Sequence, residues 1–109
     1  MTNIIFDRKN GKIIRFKISG HTGKAEFGKD ILCSAISSVS QSAVVGIVEV
    51  MKLKPKVLKI HDGYLEFELE ERDYENDSAQ ILLETCLKSL KEIVKNDKKY
   101  VKLEEKNEI

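Results

Sequence analysis

Residues 20–35, GHTGKAEFGKDILCSA, form the stretch around which the rest of the chain is organised. The stretch contains three of the six glycines, one of the two histidines and one of the two cysteines. An alternating strand pattern ends just before this stretch, and a long helical pattern starts within it at Asp30. The sequence therefore predicts a glycine-rich loop with a histidine at its mouth and a cysteine in the first turns of the next helix.

His21 and Cys33 are the candidate catalytic pair of this stretch. Cysteine attacks as a thiolate, which a helix N-terminus and a neighbouring histidine both favour. Gly20, Gly23 and Gly28 would supply the backbone angles that fold His21 back over Cys33. The alternative is that Cys33 is a small buried apolar residue and the loop only a connection. Spacing alone leaves both interpretations open.

The helix after the loop carries an apolar stripe at the helical period, and this stripe should face the core. Its members are Leu32, Ile36, Val39, Ala43, Ile47 and Val50. At about 100° per residue, Cys33 lies on the flank of the stripe, beside Ser37 and Ser40. A flanking cysteine can be partly exposed, which favours the catalytic interpretation. Ser37, one turn after Cys33, is a candidate donor to the substrate or the thiolate.

The same stretch resembles the signature of the ribosomal-processing cysteine protease family (Prp). That signature is Gly-His, a glycine-containing loop with an aromatic residue, and then Gly-x-Asp-Ile-hydrophobic-Cys with a serine four residues later. The resemblance implies a cysteine endopeptidase with Cys33 as nucleophile, His21 as catalytic histidine and Asp30 as the motif aspartate. Whether Asp30 caps the helix or orients His21 stays open. Thr22 and Phe27 depart from the family's commoner alanine and tyrosine.

The resemblance also implies the substrate and the partners. Family members remove a short N-terminal extension from the large-subunit ribosomal protein L twenty-seven, so the expected partner is that N-terminal peptide, in the cytoplasm. A homodimer is implied as well, and residues 43–48 are apolar nearly all round the helix, which a second subunit would cover. The chain's own second helix is the other candidate cover. The alternative function is a non-catalytic dimeric module that binds a ribosomal protein tail or ribosomal RNA.

Length and composition narrow the function classes further. The chain has 109 residues, which predicts one domain over residues 1–109. Its net charge of +1 gives no strong attraction to nucleic acid, so no direct nucleic-acid binding is expected. No apolar run of membrane-spanning length is expected, hence no membrane partner. Two cysteines without a secretory signal indicate a reducing cytosol and no disulfide.

No cofactor and no metal site are expected either. The two histidines and two cysteines form no close pairs, which a zinc site would need. Neither a phosphate-binding glycine loop nor a dinucleotide fingerprint occurs in the sequence.

The remaining patterns predict an α+β fold in two layers, with the order ββαββαβ. The sheet should be mainly antiparallel or mixed, with both helices packed on one face. Strands are predicted near residues 3–7, 12–19, 56–60, 64–70 and 100–103, and helices near 30–52 and 76–96. Asn10-Gly11 and Asp62-Gly63 are turn signals. The charged tail from Lys102 should fray.

Two further residues are assigned by their surroundings in the sequence. His61 precedes a turn; it is the other candidate base, although we expect it to face water. Cys86 falls within the apolar stripe of the second helix, so we expect a core residue and not a nucleophile.

The acidic side chains Glu66, Glu68, Glu70 and Glu71 indicate a solvated face, or one that attracts a basic peptide.

Overall fold

The structure, a computed structural model, describes residues 1–21 and 31–108. In chain order the elements are β1 (Thr2–Lys9), β2 (Lys12–Ser19), α1 (Ile31–Val45, continued by a π-helical turn at Gly46–Val50), β3 (Val57–His61), β4 (Tyr64–Glu68), α2 (Asp77–Val94) and β5 (Val101–Glu108). The predicted α+β class and the order ββαββαβ are confirmed. The predicted start of α1 at Asp30 lies outside the described residues.

The five strands form one mixed sheet in the order β3-β4-β2-β1-β5. The β1–β2, β2–β4 and β4–β3 pairs are antiparallel, and β5 runs parallel to β1. In the β2–β4 pair, Ser19 lies opposite Tyr64. This register places the end of β2, where residue 20 begins the predicted loop, beside the turn between β3 and β4.

The core lies between the sheet and the two helices. Alternation along the strands turns Phe6, Phe16 and Phe67 inward, where neighbouring rings lie 5.1 and 5.7 Å apart between centroids. On the edge strand β3, Leu58 and Ile60 share register with inward-facing residues of β4. Their side chains nevertheless stay 39% and 47% exposed, so the helices leave this edge of the sheet partly uncovered.

The apolar stripe of α1 differs from the prediction in two places. Ser40, predicted on the flank of the stripe, is buried, and its hydroxyl donates to the Ile36 carbonyl at 2.7 Å, which satisfies the buried group. Val39 is partly buried and packs against the core as predicted. Val50 is 76% exposed. The π-helical turn explains the second error, because the Met51 N–H bonds back five residues to the Gly46 carbonyl and shifts the helical phase.

The helical segment Ile31–Val50 is long and apolar enough, by length and composition, to cross a membrane. The expectation that no run reaches this length was therefore wrong for the described residues. A single such helix is weak evidence for a membrane, because a core helix passes the same test. Here Leu32, Ile36 and Ile47 are core residues packed with the sheet, as in a core helix.

The C-terminal segment does not fray, contrary to the prediction. Residues Val101–Glu108 form β5, paired along its length with β1. Its charged side chains are held by cations of neighbouring elements, because Glu105 accepts from Arg8 and Lys91, and Glu108 accepts from Arg15. Backbone pairing and these ion pairs replace the missing apolar pattern, which is why no strand pattern extends beyond residue 103.

Candidate active site

A cavity of about 640 Å³ opens where three elements meet at one end of the sheet. The end of β2, the first turns of α1 and the β3–β4 turn each contribute to its wall. The lining residues with polar or reactive side chains are His21, Cys33, Ser34, Ser37, Ser38, Ser40, Gln41, His61, Asp62 and Tyr64. Ile18, Ile36 and Leu65 supply apolar wall. The cavity thus joins the predicted histidine and cysteine in one polar space.

Gly20 sets the direction of the chain as it enters the site. Its φ is +93°, and a Cβ at this position would collide with the Met1 carbonyl oxygen, so only glycine fits. The Gly20 N–H donates to the Gly63 carbonyl at 2.8 Å. This bond fastens the residue before His21 to the β3–β4 turn.

His21 lies at the mouth of the cavity with its imidazole against that turn. Its Nε2 is 3.9 Å from an Asp62 carboxylate oxygen. A Cβ at Gly63 would lie 2.7 Å from the same nitrogen, so the ring occupies space that only a glycine leaves free. The His21 side chain is 63% exposed and that of Asp62 98%, so both groups are open to water.

Cys33 is half-buried in the first turn of the described part of α1. A helix N-terminus is a favourable place for negative charge, including a thiolate. Cys86 lies inside the core at 2% exposure, and burial raises the pKa of its thiol to about 12. Neither cysteine forms a disulfide. The expectation that Cys86 is a core residue is confirmed.

The other predicted site residues have mixed outcomes. Ser37 is exposed and lines the cavity, one turn along α1 from Cys33. Gly23, Gly28 and Asp30 lie outside the described residues. His61 is exposed, as expected, but it also lines the cavity, with its ring 6.1 Å from that of Tyr64.

The sequence associates the β3–β4 turn with the site only through His61, the other candidate base. Asp62-Gly63 was interpreted as a hairpin turn and nothing more. No local signal connects it with His21, because their proximity arises from the pairing of β2 with β4. Beside the cavity, Tyr64 donates its hydroxyl to Glu66 at 2.7 Å, and this bond raises the pKa of Tyr64.

Within residues 1–21 and 31–108, no group of three or more histidine, cysteine, aspartate or glutamate side chains could hold a metal ion.

Comparisons with known proteins identify similar sequences. The family model described as "Cysteine protease Prp" matches residues 1–102. A "Ribosomal processing cysteine protease Prp" of Staphylococcus aureus is 32% identical over 83 residues, which cover 76% of this chain and 77% of that protein. The protein of the same name from Bacillus subtilis is 33% identical over 90 residues, 79% of this chain and 80% of that protein.

Solved structures of similar proteins agree with the fold. The S. aureus protease Prp with a covalently linked product peptide superposes with a TM-score of 0.87 at 27% identity, covering 97% of this chain and all of that chain. The same protease with a substrate peptide gives 0.81 at 25% identity, with coverage of 97% and 100%. These proteins are named as proteases, which supports the enzymatic prediction over the non-catalytic module.

Proposed function

This chain belongs to the cysteine protease Prp family, and on that premise we propose that it removes the N-terminal extension of ribosomal protein L twenty-seven in the cytoplasm during ribosome assembly. Relatives in two organisms are named ribosomal processing cysteine proteases. The S. aureus protease has been solved with a substrate peptide and with a covalently linked product peptide. These relatives support a peptide of a ribosomal protein as the substrate.

One observation carries the assignment of the reacting groups: His21 and Cys33 line the same cavity, whereas Cys86 is enclosed in the core. In the first half of the reaction, His21 accepts the proton of Cys33. The Sγ atom then attacks the scissile carbonyl and forms an S–C bond. His21 returns the proton to the leaving amine as the C–N bond breaks, which leaves a thioester.

The second half of the reaction consumes water. His21 takes a proton from a water molecule, whose oxygen adds to the thioester carbon. The C–S bond breaks, the carboxylic acid product leaves, and the thiol of Cys33 regains its proton from His21. Backbone N–H groups at the helix start or in the preceding loop would hold the oxyanion in both halves, because such donors stabilise the charge that develops on the carbonyl oxygen.

The substrate peptide has a suitable place beside these groups. Among the described strands, β3 is at the edge of the sheet, with its outer side unpaired. An extended peptide can add to such an edge through main-chain hydrogen bonds. Leu58 and Ile60, partly exposed on β3, offer apolar contacts, and Ser37 on α1 is a donor within the cavity.

The family motif supplies further supporting residues. Gly20, Gly23 and Gly28 would shape the backbone near the peptide, and Asp30 would cap α1 or orient His21. Of these four, only Gly20 falls in the described part of the chain, where its φ and its bond to Gly63 support a role in placing His21.

The protease is further proposed to act as a homodimer. The second helix does cover part of α1, since Leu82 packs against Gly46, where a Cβ would be 2.9 Å from the Leu82 Cδ1 atom. Val45, Val50 and Ile81 of the helix layer nevertheless remain more than half exposed. Burying such side chains favours association. Sedimentation velocity should find a dimer, and a monomer at all accessible concentrations would contradict it.

A cleavage assay tests the proposed reaction. The substrate is a synthetic peptide that spans the N-terminal extension and processing site of L twenty-seven from the same organism, and products are identified by mass spectrometry. Cys33→Ala removes the nucleophile and should lower the rate by roughly four orders of magnitude or more. His21→Ala removes the base and should cost about a hundredfold or more.

Cys86→Ala is the matched control, because it makes the same change at the buried thiol. It should leave kcat unchanged. Near-UV circular dichroism verifies that each variant is folded. If folded Cys86→Ala lost as much activity as Cys33→Ala, or if Cys33→Ala cut at the parental rate, the assignment of the nucleophile would be wrong.

A further inference from the structure

Among the described residues, the turn between β3 and β4 supplies the one acidic side chain that lines the cavity. Of the described residues that line the cavity, Asp62 alone is a carboxylate, and none is lysine or arginine. The other titratable groups there are Cys33 on α1 and His21, His61 and Tyr64 around the turn. Within the described part of the site, Asp62, at 3.9 Å, is therefore the one carboxylate that can offset a positive charge on the His21 imidazole.

The backbone of the turn fixes this relation. Gly63 has a φ of +71°, its carbonyl accepts from the Gly20 N–H, and its Cα surface contacts the imidazole edge that carries Nε2. The turn therefore holds the edge of the imidazole that carries Nε2 beside Asp62, in the cavity that Cys33 also lines.

We propose that Asp62 is a positioning residue for His21, a role that rests on the proposed function. It holds the Nε2 edge toward the turn and offsets the positive charge that His21 acquires when Cys33 becomes a thiolate. The carboxylate takes no proton and forms no bond to substrate. Its action passes through His21, since the imidazolium is stabilised relative to the neutral ring by a nearby negative charge.

The size of the effect follows from exposure. Because the two side chains are 63% and 98% exposed, water screens the interaction strongly. Exposed ion pairs change an equilibrium by about two- to fivefold at low ionic strength. Salt should remove most of that, since the Debye length shrinks to about 3 Å at 1 M.

The test removes the charge of Asp62 and keeps the backbone conformation of the turn. Asn-Gly suits a tight hairpin turn as well as Asp-Gly does, so Asp62→Asn leaves the backbone preference intact. The readouts are the second-order rate of iodoacetamide alkylation of Cys33 against pH, with the labelled cysteine identified by mass spectrometry, and the kcat and KM of peptide cleavage. Glu75→Gln, which removes an exposed carboxylate elsewhere in the chain, is the matched control.

At low salt, Asp62→Asn should slow both alkylation near neutral pH and kcat by about two- to fivefold, with KM unchanged. Its alkylation profile should move to higher pH, and Asp62→Glu should restore part of the rate. Parent and variant should converge at high salt, because screening removes what the substitution removes. Glu75→Gln should match the parent throughout.

Two results would overturn the role of Asp62. One is an Asp62→Asn profile that matches the parent at low salt. The other is a loss that persists unchanged at high salt and that Asp62→Glu does not reduce, which would indicate a structural effect on the turn. His21→Ala separates this failure from failure of the proposed function: if His21→Ala slows alkylation while Asp62→Asn does not, only the role of Asp62 is wrong. If neither slows it, the catalytic pair and the role of Asp62 both fall.

Discussion

The two hairpin turns lie at opposite ends of the sheet, share a sequence signal and differ in what surrounds them. Asn10-Gly11 joins β1 to β2, and Asp62-Gly63 joins β3 to β4. Both glycines have positive φ, +81° and +71°. A Cβ at Gly11 would meet nothing within 4 Å, whereas one at Gly63 would press on His21. The same turn chemistry thus makes a plain connection at one end and part of the proposed catalytic site at the other.

The Gly11 end is closed by mutually satisfied polar groups. Arg8 donates to the Gly11 carbonyl at 3.0 Å and forms a two-pronged pair with Glu84 at 2.6 and 2.9 Å. The buried amide of Gln80 bonds both the N–H and the carbonyl of Ile13, at 2.9 and 2.8 Å. Such networks fix a structure and leave no group free for chemistry. The Gly63 end keeps its polar groups facing an open cavity, where they can meet a substrate.

Replacing each turn glycine with alanine should show the largest difference in activity between the two ends of the sheet. Gly11→Ala and Gly63→Ala both place a Cβ on a residue with positive φ, so each should lower the free energy of unfolding by about 1 kcal/mol or more. Only Gly63→Ala should also displace the imidazole, lowering kcat/KM for peptide cleavage by about tenfold or more. Thermal unfolding and cleavage kinetics measure the two effects. Equal activity of the two folded variants would break the comparison.

The ion pair between Arg8 and Glu84, at the Gly11 end, should affect stability and not activity. Its effect on stability should be smaller than that of the glycine substitutions. Hydrogen bonding from Arg8 lowers the pKa of the Glu84 carboxyl. A carboxylate with a lowered folded-state pKa stabilises the fold above its unfolded-state pKa and loses that contribution as pH falls through the folded value. Glu84→Gln should therefore reduce the unfolding free energy by about 1 kcal/mol or less near neutral pH, because water screens this partly exposed pair.

The loss of unfolding free energy in Glu84→Gln should disappear in acid. The kcat of this variant should match that of the parent at every pH at which the protein is folded. Urea unfolding across the acidic range measures the first, and the peptide assay the second. A deficit that is the same on both sides of the carboxyl titration would indicate lost packing and not a lost charge. Glu75→Gln again serves as the control for removal of an exposed carboxylate.

Local patterns were enough to predict most elements of this fold. Alternation predicted β2 at its observed bounds, Lys12–Ser19. Asn76 was predicted to begin α2, and its side chain accepts from the Ala79 N–H as an N-cap does. Both turns follow from Asx-Gly pairs. Each of these features is decided within a few residues, which is why one sequence suffices.

The errors in the predicted structure arose where contacts between distant parts of the chain determine the local structure. The charged residues of β5 carry no strand pattern, and their pairing depends on β1 at the other end of the chain. The exposure of Val50 depends on a π-helical turn where Gly46 meets Leu82 of α2. The pattern predicts His21 and Cys33 at one site, and both line the same cavity. The nearness of Asp62 to His21 depends on the β2–β4 pairing, which no local motif encodes.

The most direct test of the central claim is the pH dependence of iodoacetamide labelling, read separately at the two cysteines by mass spectrometry. Cys33 should react rapidly well below the pH of about 8.5 at which an ordinary thiol ionises, and His21→Ala should remove that advantage. Cys86 should stay unlabelled until the protein unfolds, because it is 2% exposed. If Cys33 reacts like an ordinary thiol even with substrate peptide present, or equally fast in His21→Ala, the catalytic pair does not exist.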